Sequence, residues 1–359
     1  MIRIDEIYYN IFLPSVQRKS FHGIHWFDPF GSVAFENMCS APPVPWDDRA
    51  VRYLFWDQEP LHKDLIDSTL TRYCDTFNGQ LNLVTSELNS EFVDYACNTY
   101  GLRSHYYFYQ GWASLDWIRG YNRSFLIPDP KDRNINNTFI SPNRIIAGQR
   151  QHRLIMMYHI IKNNLINNYI SFPKTCPVEN ISVLDAVSPL LAVFPDIADV
   201  FAQAKLPFNF INEANHPMHS YKLSLYNECA DSLLYLVTET VGQGRRLHLT
   251  EKTFKPICLR MPFIIVGTAG SLEYLHRYGF KTFESLWDES YDLELDDVKR
   301  IEKIAKVLSG LDTLTIQEKQ QLYKHSNEIL EHNYNHFYNG GFEKILWAEL
   351  IHMLETLAI

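Results

Sequence analysis

Ser232-Leu233-Leu234-Tyr235-Leu236-Val237 is an unbroken apolar run of strand length. A run without alternation predicts a strand buried on both faces. Pro262-Phe263-Ile264-Ile265-Val266 repeats the pattern. Between them lies a polar stretch from Glu239 to His248, followed by Thr250. Thr250 can cap a helix whose first turn holds Glu251. Pro256 lacks a backbone donor, so that helix should be short or kinked. After the second run, Gly267-Thr268-Ala269-Gly270 turns into a helix over Ser271–Tyr278, with Gly279 as its C-terminal cap. Phe280–Phe283 reads as the start of a further strand. Strand, helix, strand, helix, strand predicts a parallel α/β sheet.

Upstream of this region, Thr138–Ser141 reads as a strand and Asn143–Arg150 as a loop. From His152 to about Ile166, apolar residues (Leu154, Ile155, Tyr158, Ile161, Leu165) recur at helical spacing. The first ~135 residues are rich in aromatics, with candidate strands at Ile2–Phe12, Val51–Trp56 and Leu81–Thr85 and a helix over Ser90–Tyr100. The polar, breaker-rich stretch 127–137 reads as the linker. The tail, Asp297–Leu308 and Ile316–Ile359, is mostly helical, and a long C-terminal helix can cross back onto the first domain.

The chain has 359 residues, of which 46% are hydrophobic and 21% charged. At about 100–200 residues per domain, that length predicts two globular domains. Cys39, Cys74, Cys97, Cys176, Cys229 and Cys258 form no C-x-x-C pair, which argues against a zinc or redox motif. Their scatter reads as reduced core thiols. The start, Met1-Ile2-Arg3-Ile4-Asp5-Glu6, is unlike a signal peptide, and no stretch approaches the ~18 apolar residues of a membrane span. The expectation is a soluble, cytoplasmic protein without membrane contact. A net charge of −9 argues against broad nucleic-acid binding. The charge is uneven: residues 141–260 hold twelve Lys/Arg against nine Asp/Glu, a balance of +3 that leaves −12 elsewhere. A basic middle in an acidic chain suits a small anionic ligand, and a narrow nucleic-acid footprint stays open.

Three clusters can carry chemistry. In open α/β sheets ligands bind beyond the carboxyl ends of the strands. The stretch after the 232–237 run sits at such an end and enters a helix N-terminus, a natural diphosphate site. Lys252 lies in that first turn, where a cation is unfavourable unless an anion is present. The simpler reading of Lys252 is a solvated helix charge. The second cluster is Arg144, Arg150 and Arg153 with His152. Guanidinium forks suit phosphate oxygens, although a surface basic patch fits the same residues. The third is Phe55-Trp56-Asp57-Gln58-Glu59-Pro60, where two carboxylates at a strand end can supply a general base. Turn chemistry before Pro60 is the alternative.

The segment Arg246-Leu247-His248-Leu249-Thr250-Glu251-Lys252-Thr253-Phe254-Lys255-Pro256 resembles the donor-site motif of the α-1,3-fucosyltransferase family. The resemblance covers mainly 138–293, with a fainter echo at 53–60. It implies an α/β, GT-B-like fold: two Rossmann-like domains facing a cleft, with a C-terminal helix crossing back. The domains would be 1–137 on the acceptor side, 138–335 for the nucleotide sugar, and 336–359 returning to the first. It also implies that Glu251 hydrogen-bonds the donor ribose while Lys252 and Arg153 hold the pyrophosphate. Glu239 and Thr240 would stand where the family has glutamate and asparagine. Thr250, Arg150 and Arg246 join the donor-binding set, the last through a loop, Gly242-Gln243-Gly244-Arg245-Arg246, closing over the diphosphate. Glu59, with Asp57 second, would be the base. The stretches Gly279–Phe283 and Trp287-Asp288-Glu289-Ser290-Tyr291-Asp292 resemble a divergent branch found in bacteriophages. Residence in the host cytoplasm, and a glycan or a hydroxymethylated base in DNA as acceptor, follow from that likeness.

The expected activity is therefore metal-independent, inverting transfer of a sugar from a nucleotide diphosphate sugar, which serves as co-substrate, with no further cofactor. No metal-binding D-x-D triplet stands at a strand end; the Asp129/Asp132 pair lies in the linker, and His22/His25 and His216/His219 are spaced i,i+3 outside any helical pattern. A reading of another class is a non-catalytic nucleotide- or glycan-binding protein, for which Thr240 in place of asparagine speaks.

Overall fold

The computed structural model describes residues 52–56, 60–74, 81–121, 133–209 and 223–356. The expected strand at Ile2–Phe12 lies outside them. The described chain has a mixed α/β fold with two sheets and divides into two compact units. Unit 1 holds the described residues through Asp116, the short stretch Arg245–His248 and the chain from Phe342 onward; unit 2 holds Trp117–Gly244 and Leu249–Gly341. Two α/β units, each with parallel strand pairing, are what the GT-B resemblance implies.

Unit 1 is built on β1 (Arg52–Trp56), β2 (Leu81–Thr85) and β3 (Arg103–Tyr106), all parallel in the order β1-β2-β3. The crossovers are α1 (Lys63–Cys74) and α2 (Glu91–Tyr100). Parallel strands require such crossovers. Ser90 caps α2 by accepting the Val93 N–H, and Gly101 ends it at φ 67°. Trp56, Leu61, Ile66, Leu70, Leu83, Val93, Ala96 and Leu102 form the core between sheet and helices. Next comes α3 (Tyr109–Ile118). The sequence of β3 reads Arg-Ser-His-Tyr, without the apolar pattern of the 232–237 run, and its side chains are exposed or half-buried.

In unit 2 the sheet order is β6-β5-β4-β7-β8. Its strands are β4 (Asn137–Pro142), β5 (Tyr169–Phe172), β6 (Phe208–Asn209), β7 (Ser232–Thr238) and β8 (Phe263–Val266). Only β6, on the edge, is antiparallel. All seven residues of β7 are buried, as its apolar run predicts. Between β4 and β7 the chain forms α4 (Gln151–Lys162), α5 (Val183–Ala186), α6 (Ile197–Gln203) and α7 (Tyr226–Asp231). α8 (Glu251–Cys258) joins β7 to β8, and α9 (Ser271–Arg277) follows β8. The tail forms α10 (Asp297–Asp312), α11 (Ile316–His325), α12 (Asn327–Tyr338) and α13 (Gly341–Thr356).

The last helix belongs to unit 1 from Phe342 on. It buries Phe342, Leu346, Leu350 and Met353. Its Trp347 meets Trp112 edge to face at 5.0 Å, and its Glu349 accepts the Phe108 N–H at 2.6 Å. A side chain at Gly111 would lie 2.8 Å from the Phe342 ring. Glycine there lets α13 approach α3.

Two expectations change. Phe280–Phe283 is no strand: the Asn333 side chain accepts from Lys281 N and donates to Lys281 O, both at 2.8 Å. One amide thus does for Lys281 what a neighbouring strand would do. The described part of the expected linker is tied into unit 2. The Arg133 guanidinium donates to the carbonyls of Leu259 (2.5 Å) and Arg260 (3.2 Å). Gln320 brackets the backbone on both sides, at Arg133 O and Ile135 N. The remainder, 127–132, lies outside the described residues.

Candidate functional site

The carboxyl end of β7 is where unit 2 gathers its polar side chains. Thr238, the last residue of the strand, donates to Asn143 Oδ1 at 2.6 Å, tying β7 to the chain leaving β4. Glu239 follows and is fully buried. Its carboxylate accepts four hydrogen bonds: from Thr250 N (3.0 Å), Thr250 Oγ1 (2.6 Å), Thr253 Oγ1 (2.6 Å) and Thr240 N (3.1 Å). A buried carboxylate is tolerated when its lone pairs are filled in this way. Glu239 therefore anchors the start of α8 rather than projecting free.

Its backbone carbonyl is held from below. His152 Nε2 donates to it at 2.8 Å and Arg153 Nη2 at 2.9 Å; the same Nη2 reaches Thr238 O at 3.0 Å. Arg153 Nη1 donates to Ile145 O at 2.7 Å. Arg153 is thus buried beneath the site with its two terminal nitrogens on three backbone carbonyls. Burial, reinforced by Arg153, pushes the His152 ring down to about 3. The ring is neutral at ordinary pH and carries its proton on Nε2. Arg150 precedes α4 and lies 3.9 Å from Glu179, and Arg144 is exposed.

Thr250 adopts extended backbone, φ −121° and ψ −177°, and caps α8 through its hydroxyl, as expected. Helix α8 is short, with Pro256 inside it. Lys252 Nζ donates to Thr240 Oγ1 (3.0 Å), Thr250 Oγ1 (3.1 Å) and Glu251 Oε1 (3.1 Å), and its side chain stays 32% exposed. Glu251 is buried beside it. Burial pushes its carboxyl up, but Lys252 and Lys255 outweigh burial and hold it below the usual glutamate range. Lys255, one turn on and half-buried, is lowered to about 8 by burial, against the pull of Glu251.

Five of the residues singled out from the sequence therefore meet at one edge of one sheet: Glu239, Thr240, Thr250, Glu251 and Lys252. Arg153 lies under them. Arg246 belongs to unit 1, where its guanidinium donates to Leu61 O at 2.5 Å, pairs with Glu87 at 3.3 Å and stacks on Phe92. Its neighbour Leu247 exchanges two backbone hydrogen bonds with Leu88. Closure of Arg246 over a diphosphate is therefore not what this structure presents: the guanidinium is enclosed in unit 1. Asp57 and Glu59 lie outside the described residues, as do Asp129, Asp132 and the pairs His22/His25 and His216/His219. Sequence reading missed Thr253, whose hydroxyl faces Glu239, and Arg300, whose buried guanidinium donates to Gly242 O and Gly267 O. Thr253 is signalled only by its place in the first turn after a threonine cap; nothing local marks Arg300.

Among the described residues, no group of three His, Cys, Asp or Glu side chains can hold a metal ion. No helix among them is long and apolar enough to cross a membrane.

No family model and no curated protein matches the chain. A crystal structure of the DNA-modifying enzyme β-glucosyltransferase, determined in the presence and absence of the substrate uridine diphosphoglucose, is similar at a TM-score of 0.32 and 10% identity, over 78% of this chain and 74% of that one. At that level the likeness assigns neither substrate nor site.

Proposed function

We propose that this chain is a glycosyltransferase of the GT-B type, related to the fucosyltransferase-like branch, and that unit 2 binds a nucleotide diphosphate sugar at the start of α8. The observation that carries the reading is the convergence of Glu239 and Thr240 with Thr250, Glu251 and Lys252. The two segments are separate in sequence, yet Lys252 Nζ touches Thr240, Thr250 and Glu251 within 3.1 Å. Glu239 takes the N–H and hydroxyl of the Thr250 cap and the Thr253 hydroxyl, and a ligand diphosphate is held chiefly by the Lys252 ammonium.

In the reaction, the bond from the anomeric carbon to the diphosphate oxygen breaks and a bond to the acceptor oxygen forms. The leaving diphosphate gains negative charge, which Lys252 stabilises where it develops. The acceptor proton passes to a carboxylate following β1, Glu59 first and Asp57 second. Attack opposite the leaving group inverts the anomeric centre. The acceptor is a hydroxyl, on a glycan or on a hydroxymethylated DNA base.

The test is a thermal-shift screen of the full chain against uridine, guanosine, adenosine and cytidine diphosphates and their sugars, followed by an assay for nucleotide diphosphate release. A preferred nucleotide raises the melting temperature by mass action, and Lys252→Ala removes the shift. Binding without release under any acceptor, including duplex DNA with hydroxymethylated bases, would leave only the nucleotide-binding protein that Thr240 allows. No shift with any nucleotide would end the proposal. A DNA acceptor is recognised by binding that weakens steeply with salt.

A further inference from the structure

Arg300 is the one charged side chain among the largest fully buried groups described, and it is 1% exposed. It comes from the first turn of α10. Its Nε donates to Gly267 O at 2.9 Å, its Nη1 to Glu294 O at 2.8 Å, and its Nη2 to Gly242 O at 3.1 Å and to the Asp297 carboxylate. Gly242 lies in the loop after β7, Gly267 in the turn after β8, and Glu294 just ahead of α10. One guanidinium therefore fastens three separate loops. A buried ion is a poor way to gain stability, since apolar groups of equal volume often do better. A planar fork with several donors is, however, a good way to fix carbonyls at set directions.

The loop after β7 is held at further points. A Cβ on Gly242 would lie 2.3 Å from the His152 ring, so Gly242 sits directly against that ring while Arg300 takes its carbonyl. Two residues on, the Gly244 N–H donates to Asp297 Oδ2 at 3.1 Å, with Gly244 at φ 78°. At the loop's start, Glu239 O carries His152 and Arg153. Loops at the ligand-binding edge of a sheet are ordinarily its most mobile part. This one is fastened at Glu239, Gly242 and Gly244, all in unit 2.

We infer that Arg300 and Asp297 are positioning residues that hold the loop Glu239–Gly244 and the turn at Gly267 in one shape before ligand arrives, so that the ordering cost of receiving a diphosphate is already met. The diphosphate part of this inference rests on the function proposed above. A preformed loop lowers the entropy lost on binding. Arg300 and Asp297 need not touch the ligand.

The discriminating variant is Asp297→Asn. Asparagine keeps an oxygen for Arg300 and turns an amide N–H₂ toward the Gly244 N–H, replacing attraction by a donor–donor clash. Arg300→Lys is the second variant; it keeps the charge and loses the fork. Amide hydrogen exchange is followed on the full chain without ligand, and affinities for a nucleoside diphosphate and its nucleoside are measured by calorimetry. In both variants, exchange of the 239–244 amides rises by about tenfold or more relative to the other amides of unit 2, and diphosphate affinity falls about tenfold while nucleoside affinity holds. Unchanged exchange overturns the inference whether or not nucleotide binds. Faster exchange with unchanged diphosphate affinity overturns the positioning role while leaving the nucleotide site standing. A wild-type chain that binds no nucleotide, with exchange faster in the variants, defeats the proposed function and retains the loop clamp.

Discussion

Helices α8 and α9 begin alike and end up chemically different. Each follows a buried parallel strand of the same sheet, and each has a carboxylate from a distant point in the chain bonded at its start. For α8 it is Glu239, acting with the Thr250 cap. For α9, which has Gly270 at the cap position and no side-chain cap, it is Asp292, whose Oδ2 accepts Leu272 N at 3.1 Å and Glu273 N at 3.4 Å. Burial raises the Asp292 carboxyl above its usual range, while those backbone donors pull the other way. The first turn of α9 is Ser271, Leu272 and Glu273, with no cation. The first turn of α8 carries Glu251 and the partly exposed Lys252. A helix start that already holds its own anion does not recruit another through its dipole. What distinguishes α8 as a site is the side chains around it, chiefly the lysine.

The largest effect should come from Glu239→Ala. It leaves four donors without their acceptor, two of them backbone N–H groups. Each buried donor left without its acceptor costs about 1–3 kcal/mol, so the four together cost several, and urea unfolding measures the loss. A cost under about 1 kcal/mol, the net worth of an ordinary hydrogen bond, would mean that Glu239 is not the anchor and that the helix start is open to an external anion.

His152 supports only the α8 side, through Glu239 O, and it makes that side sensitive to acid. In the unfolded chain the imidazole takes its proton near 6.5; folded, it does not until about 3. The unfolded state therefore binds more protons between those values, and stability falls as pH drops through that window, at up to about 1.4 kcal/mol per pH unit. Between pH 7 and pH 5 this contributes about 2 kcal/mol. His152→Gln, whose amide can still donate to Glu239 O, should lack that share of the loss. Parallel pH profiles for variant and wild type would dissociate His152 from the acid response.

Asp292→Ala should cost less, about 1–2 kcal/mol, the usual range for a lost helix cap. The same unfolding experiment checks it. A loss equal to that of Glu239→Ala would erase the distinction between the two helix starts. The result also bears on the segment Trp287-Asp288-Glu289-Ser290-Tyr291-Asp292, since here its acids act on backbone: Glu289 accepts Phe283 N at 2.9 Å, and Asp292 caps α9. That stretch has a structural part to play whatever the chain binds.

Features set by neighbours in sequence were legible. The apolar runs predict β7 and β8, Thr250 predicts the α8 cap, and Ser90 stands where α2 begins, because each depends on a few adjacent residues. Features set by distant partners were not. Arg246 meets Glu87 across 159 positions, and Lys281 is bracketed by an asparagine 52 positions on. Glu239 is an intermediate case. A glutamate after a strand is visible, but its role appears only when Thr250 and Thr253 fold back onto it, 11 and 14 positions later. The same holds for Arg300, an ordinary helix arginine in sequence whose carbonyl partners lie 58 and 33 positions away. Burial decides between a solvated charge and an anchor, and burial is a property of the whole unit.

Lys252→Ala should have the smallest effect on folding and the most telling consequence. The ammonium is a third exposed, and the buried Glu251 carboxylate it pairs with keeps Lys255 as a second cation, so the loss of the pair is small. Its removal also relieves a cation at a helix start, which is unfavourable there without an anion. The two terms nearly cancel, so the urea midpoint should move little. Stabilisation by a nucleotide diphosphate should disappear with the lysine, because nothing else in the first turn of α8 carries positive charge. If the variant instead unfolds as readily as Glu239→Ala, Lys252 is part of the helix anchor, the two helix starts are chemically equivalent, and the diphosphate must be sought elsewhere in unit 2.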